Sequence, residues 1–318
     1  MTFATSYTSL VGCRVPIQQA PMGSVSTPEL AVAVADAGGV GSITALGAPA
    51  EVLDGMVANM VARTSGALAV NFLTEQIDRD ALAAAASRVR VIDFFWSQPD
   101  SALVEVAHQG GALACWQVGS LEEALAAVEA GCDIVVAQGT EAGGHVWGQT
   151  SLRPLLESIL ARVEVPVLAA GGIGSAATFR AVMEAGAAGA RIGTRFVATV
   201  ESGAHPDYKQ AIVKATVDST EITDAFSVCP LCAVLPRARV LRSCIHALSQ
   251  LPGDTVGETV LGGQTITLAK GHGLPPGSAA RGHIQAMAMY AGESAADVHD
   301  IVPVQEIIES WWPDRLSR

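Results

Sequence analysis

Between Pro16 and Phe196 the chain alternates two hydrophobic patterns. One is a short, almost unbroken apolar run, as in Val40-Gly-Ser-Ile-Thr44 or Val165-Pro-Val-Leu-Ala-Ala170. Such runs, lacking polar alternation, read as strands buried on both faces. The other places apolar residues at helical spacing, as in LAVAVADAGG and ATFRAVMEAG. Caps punctuate the helices. Thr27-Pro28-Glu29 gives a cap followed by proline at the first helical position, Ser175 stands as a cap, and Gly131 and Gly186 close helices.

Strands are predicted over 16–20, 40–44, 67–72, 89–95, 112–117, 133–137, 165–170 and 189–192, with helices between them. Strand starts near 17, 40, 67, 90, 112, 133, 166 and 189 describe a strand–helix unit repeated eight times. Parallel-sheet logic closes that repeat into a (β/α)8 barrel of the TIM type, an α/β fold. The one long step follows the sixth strand, where an extended loop carries the cluster Glu141–Gly148. After Phe196 the rhythm fails. A helix is predicted over 201–215, an irregular lid over 216–273, a helix over 280–291 and a last helix over 304–311. The resulting division is a barrel over 1–200, an accessory or lid segment over 201–280 covering the barrel mouth, and C-terminal helices over 281–318 packing back on the barrel.

The stretch 165–196 carries the clearest chemistry. Gly171-Gly172-Ile173-Gly174 ends the seventh strand and Gly193-Thr194-Arg195 ends the eighth. Bare backbone N–H groups beside a helix N-terminus make a phosphate cradle. Gly172-Ile-Gly174-Ser-Ala-Ala177 also fits a dinucleotide turn. That turn needs the first strand of its unit and an acidic residue about 20 positions later; Arg191 and Arg195 occupy that region, and the strand count favours the barrel.

Composition narrows the class. Half of the 318 residues are hydrophobic, 16% are charged and the net charge is −12, which argues against nucleic acid and anionic membranes as partners. No apolar run approaches the ~18 residues of a membrane span, and the first residues lack the form of a signal peptide. Six scattered cysteines read as reduced thiols of a cytoplasmic protein.

In such barrels the site lies at the C-terminal ends of the strands. Those ends carry Met22-Gly23, Asn71, Gln138, Gly143-Gly144-His145, Gly171-Gly172 and Gly193-Thr194. The set lacks a carboxylate pair for glycosidase work, a metal-binding His or Asp pair and a strand-end Lys for a Schiff base. A phosphate cradle with little ionisable equipment points to a bound cofactor that carries the chemistry. FMN fits, its phosphate in the cradle and its ring edge against the amides of Asn71 and Gln138. His145, after two glycines that permit close backbone approach, is read as the catalytic acid or base. Glu141, in the same loop, is read as a structural carboxylate binding loop N–H groups. Cys229-Pro-Leu-Cys232 with Cys244 and His246 has only a superficial zinc spacing, so no metal is expected. Trp311-Trp312 is read as a packing anchor.

These residues resemble bacterial nitronate monooxygenases, once called 2-nitropropane dioxygenases, within a larger group of FMN-dependent barrels. The likeness rests on PIQQAPMGSVSTPELAVAVADAGGVGSI (16–43), VVAQGTEAGGHVWG (135–148), PVLAAGGIGSAATFRAVMEAGAAGARIGTRF (166–196) and MYAGESAADVHDIVP (289–303). It implies that Met22, Gly23, Asn71 and Gln138 line the flavin, that Gly172, Gly193 and Thr194 bind its phosphate, and that Tyr290, Gly292 and Ser294 close on it. It also implies that His145 is the catalytic base. Glu293 stands where the family has Gln, and residues 215–275 match nothing in it. The implied reaction is oxidative denitrification of an alkyl nitronate, or of a nitroalkane first deprotonated by His145, to a carbonyl compound and nitrite with O2. The alternative is an NAD(P)H-dependent FMN reductase acting on a quinone or an enoyl thioester; a flavin-binding sensor without turnover is a third reading. Partners are a small molecule and O2, with a homodimer allowed.

Overall fold

The apolar runs become eight parallel strands in a computed structural model of the chain, which describes residues 4–73, 77–228, 232, 235–261 and 263–311. The strands are β1 (Ile17–Gln19), β2 (Val40–Thr44), β3 (Ala67–Leu73), β4 (Val91–Phe95), β5 (Leu113–Val118), β6 (Ile134–Gln138), β8 (Val167–Ala170) and β9 (Gly189–Ile192). They pair in sequence order, and β1 pairs with both β2 and β9, so the sheet closes into a barrel. Nearly every barrel position is buried, because one face meets the helices and the other the barrel interior. This is why the runs show no polar alternation.

Six helices fill the connections up to β8: α2 (Pro28–Asp36), α3 (Ala50–Arg63), α4 (Arg79–Ala86), α5 (Ser101–Gln109), α6 (Leu121–Glu129) and α7 (Leu152–Leu160). α8 (Ala176–Glu184) joins β8 to β9. Thr27 caps α2 through its side chain, with Pro28 at the first turn. Ser175 and Thr178 form a reciprocal capping box on α8, worth about 1 kcal/mol for such a cap. A helix without a sequence-based expectation, α1 (Ser6–Val11), stoppers the N-terminal end of the barrel. Its Tyr7 is fully buried against Val40, Ala69, Val91 and other interior residues. Among fully buried side chains, Trp116 stacks on Phe94 with ring centroids 4.8 Å apart, and burial of one such ring contributes about 1.5–3 kcal/mol.

Past β9 the expectations hold less well. The short helix α9 (Thr194–Val197) leads to α10 (Pro206–Val213), shorter than the helix expected over 201–215. The stretch read as irregular contains β10 (Thr220–Thr223), β11 (Ala238–Leu241), α11 (Arg242–Gln250) and a hairpin of β12 (Thr255–Leu261) with β13 (Gln264–Ala269). The helix expected over 280–291 is absent. Arg281–Gly282 instead forms β14 against β12, and Tyr290 bridges to Val240. Those cross-chain bonds take the backbone groups that a helix would have paired internally. The final helix, α12 (Val304–Trp311), buries Trp311, which stacks on Phe179; Trp312 lies outside the described residues.

Cys13, Cys115, Cys132 and Cys244 are free, but Cys232 is disulfide-bonded, against the expectation of reduced thiols throughout. Cys229 lies outside the described residues. Among those residues no group of three His, Cys, Asp or Glu could hold a metal ion, and no helix is long and apolar enough to cross a membrane.

Candidate functional site

The long loop after β6 contains a two-residue strand, β7 (Gly144–His145), which pairs with β11. The accessory segment therefore reaches back and fixes the histidine loop by backbone hydrogen bonds. Beneath it, at the C-terminal ends of the barrel strands, lies a cavity of about 240 Å³.

Thirteen of the residues expected at the site line this one cavity. Met22 and Gly23 follow β1, Asn71 lies in β3 and Gln138 ends β6. Gly143, Gly144 and His145 come from the loop, Gly171 and Gly172 from the end of β8, and Gly193 and Thr194 from the end of β9. Tyr290 and Ser294 arrive from the C-terminal segment. Gly292 does not line the cavity. Its N–H donates to Thr194 Oγ1 at 2.9 Å, and a Cβ at Gly143 would lie 2.4 Å from its nitrogen. Glycine at 143 is thus what lets the loop and the C-terminal segment touch.

His145 is held from several directions. Its Nδ1 lies 2.7 Å from the carbonyl oxygen of Leu235. A carbonyl only accepts, so Nδ1 carries the proton and the neutral ring keeps its lone pair on Nε2. Trp96 meets the ring edge-on with centroids 4.6 Å apart, and Tyr290 is tilted against it at 5.6 Å. Burial pushes the His145 pKa down to about 4, the bond to Leu235 opposing only part of that shift. At neutral pH the side chain is an uncharged base. The ordinary histidine value of ~6.5, natural to expect from sequence, does not apply.

The amides do more structural work than anticipated. Gln138 Nε2 donates to His145 O at 2.9 Å, and its Oε1 accepts from Trp147 N at 3.1 Å. Gln138 therefore fixes the histidine loop with both ends of its side chain. Asn71 Nδ2 donates to Asp93 Oδ2 at 2.8 Å. Glu141 accepts the Leu152 N–H at the start of α7 with both carboxylate oxygens, at 3.0 and 2.9 Å, the structural role expected of it. Glu293 pairs with Arg239 at 3.1 Å, and Arg239 also donates to Thr140 O. Glu293, where the resemblance led to an expectation of Gln, is thus matched by a cation.

Several cavity residues had no place in the expectation. Arg191, in β9, reaches across the barrel to Asp93 in β4 at 2.5 Å and to Gln117 in β5 at 2.9 Å. Arg191 and Asp93 are both buried, and such a pair holds because each charge offsets the desolvation of the other. Burial alone would lower the Arg191 pKa; its neighbours, the Asp93 carboxylate foremost, together more than reverse this. The available signal was a charged residue inside each of two apolar runs, VIDFF and GARI. Leu46, Leu73, Phe95 and Trp96 form another wall, for which ordinary apolar residues in strands and turns gave no signal.

The nitronate monooxygenase family profile matches residues 5–81 and 63–314, and so spans the stretch 215–275 that was expected to match nothing in the family. Over 272 residues the chain is 32% identical to a nitronate monooxygenase of Pseudomonas aeruginosa, covering 70% of this chain and 77% of that protein. The structure of nitroalkane oxidase from Streptomyces ansochromogenes superposes with a TM-score of 0.75 at 27% identity, over 96% of each chain. FabK from Thermotoga maritima superposes with a TM-score of 0.76 at 27% identity, over 96% of this chain and 94% of that one. With the barrel, the cavity and its histidine in place, this chain belongs to the nitronate monooxygenase family and is an oxidoreductase of that type.

Proposed function

We propose that the protein binds FMN and uses it to oxidise alkyl nitronates with O2, giving a carbonyl compound and nitrite. The observation that carries the reading is His145, an uncharged base of fixed tautomer, facing the same cavity as the glycine ends of β8 and β9. The residues present suit the cofactor. The backbone N–H groups of Gly172, Ile173 and Gly193 have no acceptor among the described residues. Gly171 and Gly172 hold φ of 109° and 68°, conformations that glycine adopts freely. Side chains at these turns would crowd a phosphate. Two buried polar atoms on cavity residues, Thr44 Oγ1 and Arg191 Nε, also lack partners among the described residues, as donors awaiting a polar ligand would.

When bound, FMN supplies the electron-accepting chemistry that no side chain here provides. The chain's own residues bind and orient. Gly172, Gly193 and Thr194 would hold the phosphate, and Asn71 would offer its Oδ1 to the ring edge. For a neutral nitroalkane, His145 Nε2 takes the α-proton; for a nitronate that step is unnecessary.

The test uses purified protein. It should be yellow, release FMN rather than FAD on denaturation, and consume oxygen with an alkyl nitronate in the absence of NAD(P)H. Rapid NADH-driven bleaching of the flavin without nitronate turnover would instead support the second reading, a reductase of enoyl thioesters or quinones, which the likeness to FabK favours.

A further inference from the structure

The cavity has two unlike sides. By strand order β8 and β9 stand across the barrel from β3 and β4. One side is glycine backbone. The other is Leu46, Leu73, Phe95 and Trp96. We propose that this second side is a tail-binding wall that selects substrates whose planar head group carries an uncharged hydrocarbon tail. Leu46 and Trp96 are its specificity-determining residues. On the nitronate reading of the site, on which this rests, the substrate is a longer-chain alkyl nitronate rather than one bearing a second charge.

Two independent observations lead there. The first is charge. Arg191 is the only lysine or arginine among the described lining residues. Its guanidinium is already matched by Asp93, two positions before Phe95 in β4 and so one layer below the wall. None of the described lining residues is an aspartate or glutamate. Residues 74–76, 229–231 and 233–234 include no Lys or Arg either. A charged tail would give up its hydration here and find, among the described lining residues, no unmatched opposite charge to replace it.

The second observation is backbone conformation. Leu46 and Trp96 have φ of 46° and 74°, in the left-handed region that bulky residues rarely adopt. The only other non-glycine residue with positive φ among those described is Asp218. Residues held in this way concentrate at ligand sites, where the surrounding structure enforces them. Here the turn after β2 and the end of β4 place two large apolar side chains against the cavity. Trp96 also braces the ring of His145, so the wall adjoins the reacting centre.

Hexanoate and succinate test the wall without turnover. Both carry a planar two-oxygen anion like that of a nitronate, and neither is readily oxidised; they differ in whether the far end is charged. In calorimetric titrations of the purified protein, hexanoate should bind at least tenfold tighter than succinate. Leu46→Arg, at a position 37% exposed on the rim, should bring the ratio to about one or invert it. Leu46→Gly relieves the left-handed backbone, so a merely structural Leu46 would gain thermal stability with ligand preference unchanged. The wall instead requires hexanoate to weaken at least threefold and succinate to stay constant. Undetectable hexanoate binding, equal or tighter succinate binding, or a ratio unmoved by both variants overturns the inference. An oxygen electrode with hexane-1-nitronate reads the reaction separately. No uptake beside an intact hexanoate preference would sink the nitronate reading while upholding the wall.

Discussion

The β8–β9 side of the cavity and the β2–β4 side solve different problems with the same barrel geometry. On the first the lining is backbone: Gly171, Gly172 and Gly193 bring no side chain into the cavity, the arrangement proposed above to hold a phosphate. On the second the lining is large apolar side chains, two of them, Leu46 and Trp96, on backbone of unfavourable positive φ. A phosphate needs convergent donors of fixed direction, which peptide groups supply. A hydrocarbon tail needs contact area, which only side chains supply. His145 stands between the two, its loop glycines continuous with the first side and its ring against Trp96 of the second.

The largest expected effect breaks the backbone side. Gly172→Arg places a long side chain in the cradle at a φ of 68°, with Glu141 Cβ only 3.3 Å from where its own Cβ must go. FMN binding should be lost, read as colourless protein that does not quench added FMN. Retained stoichiometric flavin would remove the phosphate from this side of the cavity.

His145→Asn tests the junction. It keeps a hydrogen-bonding side chain but removes the basic nitrogen, so turnover of neutral nitroalkanes should fall by about 10² to 10⁴. Turnover of pre-formed nitronates should fall much less; equal losses on both would end the proton-abstraction role. Wild-type nitroalkane turnover should continue undiminished through pH 6.5 and decline only toward pH 4, following the lowered His145 pKa. Stability carries the same sign. In the unfolded chain the histidine titrates at ~6.5, so between there and about 4 the unfolded state binds more protons. The His145 contribution is complete above ~6.5 and lost as pH falls through 4. His145→Asn should flatten that part of a thermal-midpoint profile.

The smallest effect concerns support behind the backbone side. Glu141→Gln keeps an acceptor for the Leu152 N–H but removes the charge at the start of α7. Unfolding free energy should drop by about 1 kcal/mol, with the hexanoate-to-succinate ratio unchanged. A change in that ratio would mean the two sides are coupled through the loop.

The sequence by itself settled the barrel, because eight buried strands must be apolar throughout and their helices must show caps and helical spacing. It also marked the backbone side of the cavity and His145, since glycine at a strand end and histidine after two glycines are visible in one dimension. The C-terminal segment was misread over 280–291 because good helix-forming residues there find partners in β12 and near β11 instead. The β12–β13 hairpin was missed although Gly262-Gly263 sits between alternating runs, a recognised turn signal. Only tertiary structure could bring Arg191 to Asp93 across the barrel, join β7 to β11, tie Nδ1 of His145 to Leu235 and lower its pKa. Each of these depends on groups from distant parts of the chain sharing a space without water, and on the loss of hydration that follows. Local patterns of polarity report which residues can be buried; which of them meet, and with what electrostatic consequence, is decided when the barrel closes and the accessory segment folds over it.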